Sequence, residues 1–118
     1  MGLIVDSLLD VNEGSTPKIT GTLYDENDDL VEDSNIDAVT MAIHDYDSGT
    51  EIREATALTP SSSVVTSWLT RAETRILDSD LDYEYRVITL VAQYATTKYI
   101  TKEINLKVLN LRHHSVEA

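Results

Sequence analysis

The chain has no cysteine among its 118 residues, so neither disulfides nor thiolate metal sites are open to it. Glycine is scarce: Gly2, Gly14, Gly21 and Gly49 are the only four, and no two lie close together. That spacing excludes a glycine-rich phosphate cradle, and no G-x-S-x-G nucleophile elbow occurs either. Positive charge is short as well. Nine Lys and Arg stand against twenty-one Asp and Glu, a formal net charge of −12. Nucleic-acid binding draws on Lys and Arg neutralising phosphates, and anionic lipid repels the same surface, so neither nucleic acid nor membrane is an expected partner. No apolar run approaches the length that spans a bilayer. Residues 1–10 lack a basic start and carry Asp6, so no signal peptide is expected there.

What is present reads as strand. The chain is one domain by length, with an apolar share of 42% sufficient for a single core. Two long runs, 83–95 and 98–110, are rich in Tyr, Val, Ile and Thr and bend at Ala95–Thr96–Thr97–Lys98. In the second, Ile100, Ile104, Leu106 and Val108 share one face, interrupted only by Lys102. In the first, Val87, Ile88, Leu90, Val91 and Ala92 leave both faces apolar, which predicts an interior strand covered on two sides. Shorter alternating runs at 18–25, 36–46, 51–58 and 63–69 are separated by turn signals, among them Asp47–Ser48–Gly49–Thr50. Thr70–Arg71–Ala72–Glu73 matches a capping box, predicting one or two helical turns over 70–77. Six or seven strands at regular spacing argue for an all-β sandwich, with residues 19–58 forming most of the layer opposite the hairpin. Residues 1–16 read as an N-terminal arm or edge strand, 17–111 as the sandwich, and 112–118 as a C-terminal tail.

Chemistry is harder to find. Asp25, Asn27 and Asp29 occupy the first, third and fifth positions of an EF-hand loop, but Leu30 stands where that loop needs Gly and Ile36 where it needs a bidentate Glu. A solvated interstrand loop is the better reading of this stretch. Between Ile19 and Ile52 lie ten acids and no base. His44 is isolated on a strand, and His113 and His114 are adjacent, so no three ligands share a spacing suited to zinc. Catalytic carboxylate pairs can be drawn at will from so many acids, which makes no pair informative. No cofactor is called for, and no enzyme activity is expected. Tyr83, Tyr85, Tyr94 and Tyr99 cluster on the hairpin, and such side chains serve sugar stacking or a protein interface. The structural expectation is that Trp68 fills the core and that Tyr83 or Tyr85 forms a tyrosine corner.

The run Ile19–Thr20–Gly21–Thr22–Leu23–Tyr24–Asp25, the acidic loop after it and the strand pair containing IDAVTMAIHDYDSGTEI together resemble the opening of immunoglobulin-like domains in bacteriophage virion proteins. Trp68–Leu69–Thr70, with Ala72, Glu73, Thr74, Ile76 and Leu77, followed by Tyr83–Glu84–Tyr85–Arg86–Val87, is similar to the strand–short helix–strand segment of the same proteins. The resemblance covers roughly residues 17–110 and carries no catalytic motif. It implies an immunoglobulin-like β-sandwich of about seven antiparallel strands with one short helix. It also implies a virion component of head, neck or tail, made in bacterial cytoplasm and placed in a symmetric oligomer among other virion proteins or copies of itself. The apolar residues Leu3, Ile4, Val5, Leu8 and Leu9 are then the natural docking element, and carbohydrate or receptor binding is the alternative role.

Overall fold

In the computed structural model, which describes residues 3–5, 10–78 and 80–110, the late hairpin is the centre of the larger of two sheets. Strands β7 (Tyr83–Tyr94) and β8 (Lys98–Leu109) pair residue for residue from Tyr83–Leu109 to Tyr94–Lys98. β4 (Ile36–Asp45) pairs antiparallel with the other edge of β7, and β5 (Glu51–Leu58) pairs with β4. The short β2 (Val11–Asn12) runs parallel to the end of β8, giving the order β2-β8-β7-β4-β5. The smaller sheet is β1-β3-β6, in which β3 (Lys18–Leu23) lies between β1 (Leu3–Val5) and β6 (Val64–Trp68). The architecture is therefore all-β with two sheets. Residues 1–16, read as arm or edge strand, supply one strand to each.

The core follows from alternation. Ile19, Gly21 and Leu23 point inward from β3, joined by Leu3 from β1 and Val65 from β6. Facing them are Val39, Met41 and Ile43 of β4, Ile88, Leu90 and Ala92 of β7, and Leu106 and Val108 of β8. Each large side chain fully removed from water here contributes about 1.5–3 kcal/mol. Gly21 marks a close approach of the strands, since a Cβ there would stand 3.2 Å from Leu3 Cδ1.

Four expectations differ from this arrangement. Residues 19–58 do not form the opposing layer as a block, because β4 and β5 join the hairpin's own sheet and only β3 crosses to the other. β7 is central but packed on one face. Its outward side (Tyr85, Val87, Thr89, Val91 and Gln93) faces no second layer among the described residues, although Val87 is buried. Trp68 is not core. Inward positions of β6 are Val65 and Ser67, so Trp68 points out, 59% exposed, and the next residue, Leu69, is the one buried.

The fourth difference is the helix over 70–77, where the structure has turns; the one helical element among the described residues is a 3-10 turn at Asp33–Asn35. The capping box nonetheless forms. Thr70 N–H donates to Glu73 Oε1 at 2.7 Å, and Glu73 N–H donates to Thr70 Oγ1 at 3.3 Å. Propagation fails because the groups a helix would pair are taken by others. The Glu73 and Arg75 carbonyls accept from Arg86, and the Thr74 carbonyl accepts from Gly14 N–H. The Leu77 and Asp78 N–H groups donate to the Glu84 carboxylate.

Candidate interaction surface

The residues that fix the connection between β6 and β7 are charged and buried. Arg86 lies on the inward face of β7 and is fully shielded from solvent. Its Nη1 donates to Asp45 Oδ1 at 2.9 Å and to Glu84 Oε1 at 2.8 Å, its Nε to the Glu73 carbonyl and its Nη2 to the Arg75 carbonyl. Asp45 also caps the turn after β4, accepting from the Ser48 N–H and hydroxyl. A second pair, Arg53 on β5 with Glu73, reaches across to Ser67 Oγ and the Trp68 carbonyl. Burial pushes the Glu73 carboxyl up, but the hydrogen bonds from Arg53 and Thr70 and the Arg53 charge outweigh it and hold the group below its ordinary range. No buried side-chain polar atom is left without a partner among the described residues. This network is scaffold. It pins the segment that carries Trp68 at one end and Tyr83 at the other.

Beyond that scaffold lies the outward face of the small sheet. The register places Ile4 opposite Thr22, Thr22 opposite Val64, Thr20 opposite Thr66 and Lys18 opposite Trp68. None of these seven outward residues is acidic, in a chain of net charge −12. Ile4 is 41% and Trp68 59% exposed, and the Lys18 ammonium lies 5.6 Å from the centre of the Trp68 indole. An acid-free strip with one cation, ending in an exposed tryptophan, has the composition of an interface centre, where charge is depleted and Trp enriched.

The docking element read from sequence is split by this geometry. Leu3 is 5% exposed and belongs to the core, Val5 is half-buried opposite Gly21, and Ile4 alone of the three faces outward. Leu8 and Leu9 lie outside the described residues, as do His113, His114 and the tail at 112–118. The expectation that Trp68 fills the core hides the other members of the face. Parity with Val65 and Ser67 carried the correct signal.

Among the described residues neither Tyr83 nor Tyr85 forms a tyrosine corner. Tyr83 and Tyr85 sit on the outward face of β7 with ring centroids 5.5 Å apart, edge to face, and Tyr46 meets Tyr85 in the same manner at 6.4 Å. The Lys107 ammonium stands 4.3 Å over the Tyr83 ring. Tyr94 instead points inward and donates from its hydroxyl to Glu26 Oε2 at 3.0 Å, while Tyr99 is exposed. His44 is half-buried on β4 opposite Val87.

The acidic loop uses carboxylates both within itself and to tie it to its neighbours. Asp25 Oδ1 accepts from the Asn27 and Asp29 N–H groups, holding Asp28 at φ +64°. Asp33 accepts from the Ser62 and Ser63 N–H groups. Glu26 pairs with Lys98 beside Tyr94, at the rim of a cleft of about 300 Å³. The Lys98 hydrogen bond, with the Glu26 N–H and the Tyr94 hydroxyl, pulls the Glu26 carboxyl down to about 2, and Glu26 in turn raises Lys98. Burial, then the hydrogen bond to Glu26, pushes Tyr94 up. Among the described residues no three His, Asp or Glu side chains converge as metal ligands. No protein-family model matches the chain, and no curated protein sequence matches it.

Proposed function

We propose that this chain is a non-enzymatic structural protein of a bacteriophage virion, an immunoglobulin-like assembly module of head, neck or tail that docks through the outward face of its small sheet. The observation that carries the reading is that face: an acid-free strip from Ile4 across Thr22, Thr20 and Thr66 to the exposed Trp68, in a chain of net charge −12. The connectivity supports the immunoglobulin-like part. β1-β3-β6 corresponds to an A-B-E sheet and β8-β7-β4-β5 to G-F-C-C′, with β2 parallel to β8 at the edge. The virion placement rests on the sequence resemblance over residues 17–110. Its partners are then other virion proteins or further copies of this chain in a symmetric array. Carbohydrate or receptor binding is the second reading, favoured by the tyrosine cluster on the larger sheet.

The test is incorporation. Purified virions from a host expressing the Trp68→Asp chain in place of the native one are inventoried by mass spectrometry. The expected result is a chain that folds, with an unchanged circular dichroism melt, and is absent from particles. A Trp68→Asp chain that incorporates at native level refutes the docking face, and a native chain absent from all particles refutes the virion role.

A further inference from the structure

The tyrosine cluster is independent of the small-sheet docking face, and the inference rests on the second reading above, carbohydrate binding, to which it gives a site and a ligand class. We infer that Tyr46, Tyr85 and Asn105 form a binding site for a neutral oligosaccharide on the outward face of the larger sheet. The ladder sets the geometry: Tyr46 N–H donates to the Tyr85 carbonyl at 3.0 Å, extending the β4–β7 pairing by one residue and bringing the two rings side by side. Their interplanar angle is 73° at 6.4 Å between centroids, so the rings meet edge to face and form a corner rather than a stack. Lys107 covers Tyr83, which leaves Tyr46, 59% exposed, and Tyr85 as the walls of a groove of about 190 Å³ that Asn105 completes.

An aromatic wall offers a sugar ring a surface for its apolar C–H face, and an amide beside it offers a donor and an acceptor to hydroxyls. Beside Tyr83 a second cleft, of about 340 Å³, is lined by Asp47 and Asp80, whose carboxylates are strong acceptors for further hydroxyls along a chain. The same carboxylates and the net charge of −12 repel nucleic acids, acidic glycans and phosphorylated surfaces. A neutral sugar feels none of that repulsion and uses every group present. A proline-rich peptide would use the rings but not the carboxylates.

The probe is a panel of neutral gluco-, galacto- and N-acetylglucosamine oligosaccharides, titrated into the isotope-labelled full chain and followed by amide chemical shifts. The expected result is saturable shifts at Tyr46, Tyr85 and Asn105 with one sugar series. Tyr46→Ala weakens binding by roughly tenfold or more, Tyr46→Phe largely preserves it, and Tyr99→Ala, at the far end of the same face, leaves it unchanged. Affinity that holds between low and high salt fits a neutral ligand. The proposal is overturned if no sugar of the panel shifts these residues at about 10 mM. It is equally overturned if Tyr46→Ala binds as well as the native chain, or if a polyproline peptide saturates the groove while sugars do not. Incorporation into particles is unaffected by Tyr46→Ala if the two surfaces are separate, so failure here leaves the docking face standing.

Discussion

Replacing Arg86 by Met tests whether the buried charge network holds the β6–β7 connection. The side chain has no solvent exposure, and four hydrogen bonds would go: two to the carboxylates of Asp45 and Glu84, two to the carbonyls of Glu73 and Arg75. Asp45 and Glu84 keep their own backbone donors but lose the one cation that pairs with them among the described residues, and both remain under 10% exposed as side chains. Removing one partner of a buried ion pair costs about 3–5 kcal/mol, because the remaining charge is left uncompensated. A domain of this size has a total stability of about 5–15 kcal/mol. At about 4 °C per kcal/mol, the midpoint should fall by about 12–20 °C. Urea unfolding and calorimetry of native and Arg86→Met chains give the number. Amide exchange at Leu77 and Asp78, which donate to Glu84, should accelerate more than exchange in the β4–β5 hairpin. A loss below about 1 kcal/mol, or unchanged exchange at those two amides, would refute the assignment of this network as the anchor.

Three further outcomes follow from the same geometry. The Glu26 carboxyl is held at about 2, below its ordinary 4.5, so the Glu26–Lys98 pair stabilises the fold above pH 4.5 and loses that contribution as pH falls toward 2. Glu73, also held low, adds in the same direction, and a Glu26→Gln chain should show a shallower decline of urea midpoint across that window than the native one. At the β7–β8 turn Ala95 and Thr96 have φ of +49° and +68°, a region costly for a β-branched residue, so Thr96→Gly should raise stability by about 0.5–1 kcal/mol in chemical denaturation. Trp68 is the only tryptophan; its exposure predicts red-shifted emission fully open to acrylamide in the native state, and a blue-shifted, protected indole would refute the outward assignment.

Most of the strands were legible because one face is wet and one dry. Ile100, Ile104, Leu106 and Val108 announce the inward face of β8, and Ile19, Gly21 and Leu23 that of β3. The misreadings share a physical cause. Alternation specifies which residues share a face but not which sheet a strand joins, so β4 and β5 were assigned to the wrong layer. At the start of β7, Glu84 and Arg86 occupy inward positions that composition marks as surface, and only their partners in Asp45 and the 73–78 backbone make their burial affordable. That same long-range pairing removed the helix at 70–77, although its local capping signal was correct. The candidate face is half legible: Ile4 stands in the apolar N-terminal run, while the core expectation for Trp68 overlooks its parity with Val65 and Ser67.

The dimensions of that face bear on how it would be used. Three strands at about 4.8 Å spacing give a width of about 14 Å, and the five residues from Lys18 to Thr22 extend about 17 Å. Their product, about 240 Å², is under a third of the roughly 800 Å² that each partner contributes to a specific stable interface. A contact of that size between two free chains is weak whatever its composition. It becomes sufficient when neighbouring contacts in a closed array raise the effective concentration, since each later contact then forms within one assembly. A small acid-free strip on a body of net charge −12 suits that regime: repulsion between bodies suppresses premature pairing in solution, while the strip supplies register once the scaffold presents its complement. Particle incorporation, and not pairwise affinity, is therefore the measurement in which loss of Ile4 or Trp68 should appear.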